Sequence, residues 1–315
     1  MTTQYATLQP KQINLADALI MQSPVEASMV DGAKLRGYIY RRMDGPKPKR
    51  KNAPMMTTPL LCLATELGNG RQHHRFALAM ACQPQSAQKI ITLDMRGRGR
   101  SDFEGIAGSS VASDADDLIS FCDAHNLHHI DLVVSGYSVF AVFAAMTKRP
   151  GLVQRLVLND AAPEFDAVGI ARRTVQMQRA TNPTTWDECI EHLKLLKGED
   201  FPAFSDDDWL DMARQGWRDE EGQPVKDVAK GLKRWSNLVD YDNEQPSLWP
   251  EFALFKHRPV MLVQGEHSSL VTGAIVDKTA KHHPELAIVQ AKGQGHVPQL
   301  ERGQLTLQVM TFLLR

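Results

Sequence analysis

Residues 130–135 read IDLVVS, and Gly136-Tyr137-Ser138-Val139 follow them directly. The apolar run has the length of a strand that is covered on both faces, and a helical pattern over 139–148 continues from it. A serine in a sharp strand-to-helix turn projects its hydroxyl above the sheet, where the helix dipole faces developing negative charge. The stretch therefore predicts a parallel strand followed by Ser138, which is either a nucleophile or the cap of the next helix.

The rest of the chain surrounds this strand with the same alternation of short apolar runs and helical patterns. An antiparallel hairpin with the turn pair Asp31-Gly32 opens the predicted sheet. Helical patterns near 72–82, 113–126, 272–283 and 304–314 separate the later runs. The predicted strands are 25–29, 35–40, 60–64, 89–94, 130–135, 156–160, 260–266 and 286–293. We therefore expect an α/β protein with a mostly parallel eight-stranded sheet and helices on both faces.

One long segment breaks the alternation. Residues 163–250 contain all the tryptophans, many acidic residues and helical periodicity, with a helix start at Ser205. An aromatic-rich helical insertion between two strands is typical of a cap over a substrate pocket. The expected domains are a core of 1–162 and 251–315, with a helical cap of 163–250 after strand six.

Composition excludes several classes of function. The net charge of −1 gives no field that attracts nucleic acid or anionic lipid, and the basic stretch 45–59 is predicted to be a solvated loop. No apolar run approaches the roughly 20 residues that cross a membrane, and the first twenty residues lack a secretion signal. The four cysteines show no metal-ligand spacing, and the adjacent histidine pairs are predicted on the surface. We expect a cytoplasmic protein that takes a small molecule and has no metal or cofactor; the oligomeric state stays open.

A second reactive residue follows the last predicted strand. His296 lies in GQGHVP, where a loop can bring an imidazole to the serine, and the order of serine before histidine is that of the α/β hydrolases. Residues 94–102, DMRGRGRSD, do not open a helix at their glycines. They predict a tight structural loop anchored by arginines.

These motifs together resemble a known family. LDMRGRGRSD, ASDADDL, LVLNDAAPE, QGEHSSLV and GQGHVP are similar to segments of the α/β-hydrolase superfamily, in particular its bacterial branch of meta-cleavage C–C hydrolases and esterases. The resemblance runs from about residue 25 to the end. It implies the α/β-hydrolase fold, Ser138 as nucleophile, His296 as general base and acid, and the amide of Val139 as an oxyanion donor.

The acid of the triad departs from the family pattern. Relatives place an aspartate after strand seven, where this chain has Gly265-Glu266-His267-Ser268-Ser269. Some members take the acid from the end of strand six, and Asp160 occupies that place. The acid is therefore Asp160, a weaker candidate such as Glu266, or absent.

Two further positions depart from the pattern. The loop after the third predicted strand would place the second oxyanion amide at Glu66, and a carboxylate there opposes an oxyanion by Coulomb repulsion. Phe140 stands in place of the second glycine of G-x-S-x-G, where backbone usually passes closely.

Three functions remain open from sequence. The first is a serine-dependent hydrolase of a small ester, thioester or activated C–C substrate. The second is a catalytically impaired protein that binds a small ligand under the cap without hydrolysing it. The third keeps the fold but uses His296 without Ser138, as a lyase or in another cofactor-free reaction.

Overall fold

A nine-stranded sheet forms the centre of the molecule, with the strand order β1-β2-β3-β5-β4-β6-β7-β10-β11. The computed structural model describes residues 13–15, 18–43, 58–83, 89–103, 110–229, 232 and 247–315. The strands of this sheet are β1 (Ile13–Leu15), β2 (Ala18–Ser28), β3 (Lys34–Arg42), β4 (Leu60–Leu63), β5 (Ile90–Asp94), β6 (Ile130–Ser135), β7 (Val153–Asn159), β10 (Val260–Gly265) and β11 (Ala287–Ala291). The eight predicted strands are all present, and the short β1 is added at the edge. The predicted loop at 45–59 lies mostly outside the described residues.

The pairing of the strands is parallel from β5 to β11 and antiparallel before β5. β2 and β3 form the predicted hairpin, and Gly32 in its turn has φ +86, a conformation that few other residues adopt readily. β4 lies between β5 and β6, and β6 pairs in parallel with β7. The carboxyl ends of these central strands therefore meet at one edge of the sheet.

Helices cover both faces, as the apolar runs predict. They are α1 (His74–Ala81), α2 (Val111–Ala124), α3 (Val139–Lys148), α4 (Ala167–Gln178), α5 (Trp186–Lys197), α6 (Asp206–Gly216), α7 (Trp249–Phe252), α8 (Gly273–His282) and α9 (Gly303–Leu313). Successive strand residues point to opposite faces, so Leu132 packs on the side of α2, α3 and α8, while Val133 packs on the side of α1 and α9.

The segment between β7 and β10 contains α4, α5 and α6, as predicted, and one element that was not. A hairpin of β8 (Trp217–Glu220) and β9 (Gln223–Lys226) follows α6, where helical periodicity was expected. The sequence of this hairpin is mostly polar, so hydrophobic periodicity carried little signal there. Ser205 does begin α6, and its side chain accepts a hydrogen bond from the amide of Asp208 in a capping box.

The inserted helices have their own small core. Trp209 and Trp217 are buried there with Cys189, Leu193 and Phe201, so these two tryptophans are packing residues. The cluster is separate from the two large clusters that flank the sheet.

A buried carboxylate ties the hairpin to the sheet. Asp227 is fully buried and forms ion pairs with Arg71 at 2.6 Å and Arg218 at 2.9 Å. Its backbone oxygen also accepts a hydrogen bond from the amide of Gly99, in the arginine-rich loop after β5. One residue therefore joins the insertion, the segment before α1 and the loop 94–102.

Removing this carboxylate should destabilise the protein. We expect Asp227→Ala to lower the free energy of unfolding by about 3 kcal/mol, since two partly buried guanidinium groups lose their counter-ion. Urea unfolding at pH 7 measures the change. Asp277→Ala, at an exposed position of α8, is the matched control and should stay within about 0.5 kcal/mol of the parent. Equal effects of the two substitutions would contradict the role given to Asp227.

Candidate active site

The turn after β6 has its left-handed residue at Gly136. A short 3₁₀ segment covers Gly136–Ser138, and Gly136 has φ +54. Ser138 instead has φ −59 and ψ −15, which is ordinary right-handed helical backbone at the start of α3. In a strand-to-helix elbow the sharp, strained residue is the one that points its side chain over the sheet. That residue is Gly136.

The ring of His296 faces this glycine. A Cβ atom built on Gly136 would stand 3.2 Å from His296 Nε2 and 3.1 Å from Cε1. The imidazole therefore approaches the position that a side chain at 136 would use. Ser138 makes no hydrogen bond to His296 or to any other described side chain. The prediction that Ser138 meets the histidine is thus not met, because the chain passes through the elbow two residues earlier.

Asp160 is the carboxylate that meets the histidine. Its Oδ2 lies 2.8 Å from His296 Nδ1 and accepts a hydrogen bond from Ser268 Oγ at 2.6 Å, while Oδ1 accepts one from the amide of Gly265. Glu266 contacts Lys292 and the amide of Gly293 instead, away from the ring. Of the acids weighed from sequence, Asp160 is therefore the one in place.

The turn at Asp160 is itself strained. Asp160 follows β7 with φ +47, an uncommon value for a residue that carries a Cβ. Its amide donates to the carbonyl of Val263, which holds the turn against β10. The three bonds to its side chain fix the carboxylate in this orientation.

Burial sets the protonation of the pair. Asp160 is fully buried and His296 is 2% exposed. Loss of water raises the pKa of Asp160 to about 7, and the bonds from Ser268 and Gly265 oppose that rise. Burial, with the positive charges of Arg173 and Lys197, holds the pKa of His296 well below its usual value. The imidazole is thus neutral, and with Nδ1 bonded to Asp160 its Nε2 is directed at Gly136.

Glu66 brings a carboxylate to the same point. Its Oε2 would lie 3.4 Å from a Cβ at Gly136, and this oxygen is buried without a hydrogen-bond partner. The backbone oxygen of Glu66 accepts a bond of 2.7 Å from Arg98 Nε. The amide of Glu66, predicted as an oxyanion donor, has no partner among the described residues. The side chain therefore turns inward, and Oε2 and His296 Nε2 both face the place that a Cβ of residue 136 would take.

The arginine-rich loop after β5 positions Glu66. The sequence predicts this loop to be a structural loop that arginines anchor. Arg98 is buried and also pairs with Asp114 at 3.1 Å. Arg96 pairs with Asp117 at 2.7 Å. These ion pairs lock the loop against α2 and so fix the carbonyl of Glu66.

The structure also bears on the predictions for Val139 and Phe140, which follow the elbow. The amide of Val139 bonds to the carbonyls of Gly136 and Tyr137 within the turn, so it is not available to an oxyanion. Phe140 is buried and packs against the rings of Tyr137 and Phe165 at 5.6 Å and 5.8 Å. Since the elbow lies at Gly136, Phe140 occupies the helix beyond it and needs no glycine.

Polar residues under the elbow support the strand end. Ser135 Oγ accepts a bond from Asn159 Nδ2 at 3.0 Å and lies 3.2 Å from His73 Nε2. Burial lowers the pKa of His73 to about 4, so the ring stays neutral. The prediction of surface placement is wrong for His73 and also for His283, because both rings are buried.

A cavity of about 110 Å³ lies beside these residues and is lined partly by the inserted helices. Lys197, at the end of α5, reaches it and donates a bond of 2.8 Å to the backbone oxygen of His296. Sequence alone did not identify Lys197, because an isolated lysine at a helix end is also an ordinary capping feature. Trp217 and Gln299 complete part of the wall.

The described part of the chain contains no cluster of metal ligands and no membrane-spanning helix. No group of three or more histidine, cysteine or acidic side chains there could hold a metal ion. No helix within the described ranges has the length and apolarity to cross a bilayer.

The sequence is similar to that of known α/β-hydrolase-fold proteins. A family model for the alpha/beta hydrolase fold matches residues 58–303. A 2-(acetamidomethylene)succinate hydrolase of Mesorhizobium japonicum is 24% identical over 229 residues, covering 70% of this chain and 76% of that protein.

Solved structures show the same architecture. An alpha/beta hydrolase from Novosphingobium aromaticivorans superposes with a TM-score of 0.75 at 20% identity, covering 93% of this chain and 98% of that one. The structure of an E-2-(acetamidomethylene)succinate hydrolase gives a TM-score of 0.70 at 19% identity, covering 93% and 99%. The predicted fold is confirmed.

The neutral state of His296 can be tested in solution. We expect the ring nitrogens of His296 to keep the ¹⁵N shifts of a neutral imidazole from pH 8 down to pH 5.5, because burial opposes proton uptake. Surface histidines in the same spectra provide the internal reference. Asp160→Asn should change which ring nitrogen carries the proton. A charged His296 imidazolium at pH 6 would contradict the geometry described for the pair.

Proposed function

The chain belongs to the α/β-hydrolase-fold family, and within this fold we propose that it acts without a covalent serine intermediate. His296, oriented by Asp160, would be a general base that removes a proton from a water molecule held beside Gly136. That water would then attack the carbonyl carbon of a small activated substrate directly. The bond from this carbon to the leaving group breaks, and the leaving group takes the proton from His296. The observation that carries the proposal is the left-handed glycine opposite His296 Nε2, where a nucleophilic side chain would otherwise stand.

The dyad has the properties that a general base needs. A neutral imidazole can accept a proton at Nε2, and Asp160 stabilises the cation that forms. Asp160 accepts three hydrogen bonds, which favours its charged form when His296 becomes protonated. The reaction therefore needs no activated hydroxyl on the protein.

Glu66 supports the placement of the water. Its Oε2 and His296 Nε2 both lie within 3.4 Å of the point where a Cβ at 136 would stand. Two acceptors around one small space favour an occupant that donates hydrogen bonds, as water does with both of its protons.

The 163–250 insertion would act as the cap over this site. α5 ends at Lys197, whose ammonium bonds to the backbone of His296, so the insertion contacts the reactive loop directly. Gly295 has no room for a side chain because Asp200 packs against it, with its Cβ 2.5 Å from the place a Cβ of residue 295 would take.

A second candidate function is ligand binding without turnover. The buried carboxylate of Glu66 favours it, since a negative charge at this place raises the energy of an oxyanion. Turnover that depends on His296 excludes this candidate. A ligand that binds tightly, with no conversion by the parent protein, would favour it.

A fluorophosphonate probe tests for the covalent route. We expect the parent protein to remain unlabelled, because Ser138 does not contact His296. Gly136→Ser should gain a label at residue 136, since its hydroxyl would lie beside His296 Nε2. Gly136→Ala is the matched control, with the same backbone strain and no hydroxyl. Labelling of Ser138 in the parent, or a folded but unlabelled Gly136→Ser variant, would overturn the proposal.

Turnover of a panel of small acyl and enol esters separates the roles of the residues. We expect His296→Ala to lower kcat/KM by about 10²–10⁴, as for loss of a general base. Ser138→Ala should stay within about twofold of the parent, because no described contact joins it to the dyad. Loss of activity in Ser138→Ala with an intact fold would instead restore the serine-dependent mechanism.

A further inference from the structure

The ammonium group of Lys197 has no counter-ion among the described residues. Its one hydrogen bond goes to the carbonyl of His296, and it forms no ion pair with a carboxylate in the described ranges. An ammonium has three donors, so two remain for another partner. A charged group held away from water is expensive unless it is paired.

Polar side chains line the wall of the cavity beside Lys197. Trp217 and Gln299 are among them, and they are 6% and 8% exposed. The cavity also contains one orphaned acceptor, Asn159 Oδ1. Among the described residues that line the cavity, Lys197 is the one charged side chain, and it is a cation.

From this arrangement we propose that the cavity between the sheet and the inserted helices binds a small carboxylate, with Lys197 as its counter-ion. The site lies beside the elbow, so the ligand's carboxylate would be held next to the reacting group. Calling that ligand a substrate rests on the proposed function, whereas its binding does not. The volume of about 110 Å³ suits a group of a few heavy atoms.

Charges on several elements face Lys197 and decide how strongly it holds an anion. Arg173 on α4 adds positive charge near the ammonium. The carboxylates of Asp200, Glu66 and Asp160 add negative charge. The neutral rings of His73 and His296 add none at neutral pH. No one of these acids lies close enough to pair with the ammonium, so a bound carboxylate would be its nearest anion.

The binding should depend on pH in a defined direction. Burial lowers the pKa of Lys197 to about 7, so the free protein carries the charge mainly below that pH. A bound carboxylate favours the charged form and raises the pKa in the complex. Affinity is then greatest below pH 7 and falls, by at most tenfold per pH unit, as the pH rises above 7.

Acetate and acetamide form the pair of probes, since they have the same shape but differ in charge. Calorimetric titration of the full chain at pH 6 and pH 9 measures both. We expect acetate to bind at pH 6 and at least tenfold more weakly at pH 9, with acetamide weak and independent of pH. Equal binding of the two probes, or acetate binding that does not change with pH, would overturn the proposal in the unaltered protein.

Variants on one helix locate the site. Lys197→Met should abolish the preference for acetate, whereas Lys194→Met should retain it, because Lys194 is paired with Glu191 and Asp206 on the surface. Retention of the preference in folded Lys197→Met would refute the role of Lys197. These results are independent of the fluorophosphonate result. Labelling of Gly136→Ser can fail while acetate still binds, and acetate binding can fail while Gly136→Ser is labelled.

Discussion

A buried hydrogen bond between Asp160 and His296 is the interaction on which the site depends. It joins the end of β7 to the loop after β11, so two strands on either side of β10 must be in register for it to form. Burying an unpaired carboxylate or imidazole would be unfavourable, and the bonds from Ser268 and Gly265 complete the set around Asp160. The hydroxyl of Ser268 thereby helps to hold the Asp160 carboxylate in the orientation that His296 contacts.

The elbow keeps its backbone geometry without the side chain that the geometry usually serves. Gly136 adopts the left-handed conformation at no steric cost, so this turn stores less strain than one with a serine at the same place. The imidazole approaches to within the contact distance of a missing Cβ. The turn and the chemistry are therefore separable, because the left-handed backbone forms here at a glycine that carries no reactive side chain.

Sequence reasoning located the strands, because each central strand is a short apolar run between turn residues. It also located His296 and Asp160, because both directly follow strands whose carboxyl ends meet. It aligned G-x-S-x-G on Ser138, which lies two residues beyond the left-handed Gly136 and makes no hydrogen bond to His296 among the described residues. Phe140 indicated a different alignment, because a bulky residue does not fit the second glycine of the motif. When the motif is moved two residues towards β6, Phe140 no longer occupies that position. Ser138, a small residue, then fills the place of that glycine.

Lys197 and the inward carboxylate of Glu66 could not be derived from sequence because their meaning depends on burial and on distant elements. Each is a common surface residue, and each becomes significant only beside His296. Their charges also constrain each other, since the Glu66 carboxylate favours the protonated form of Lys197 and the ammonium attracts that carboxylate in turn. Removing either charge alone would change the net charge of the site. The negative charge of Glu66 already offsets part of the positive charge of Lys197 before a carboxylate ligand binds. Such compensation favours reversible binding of the ligand over tight retention.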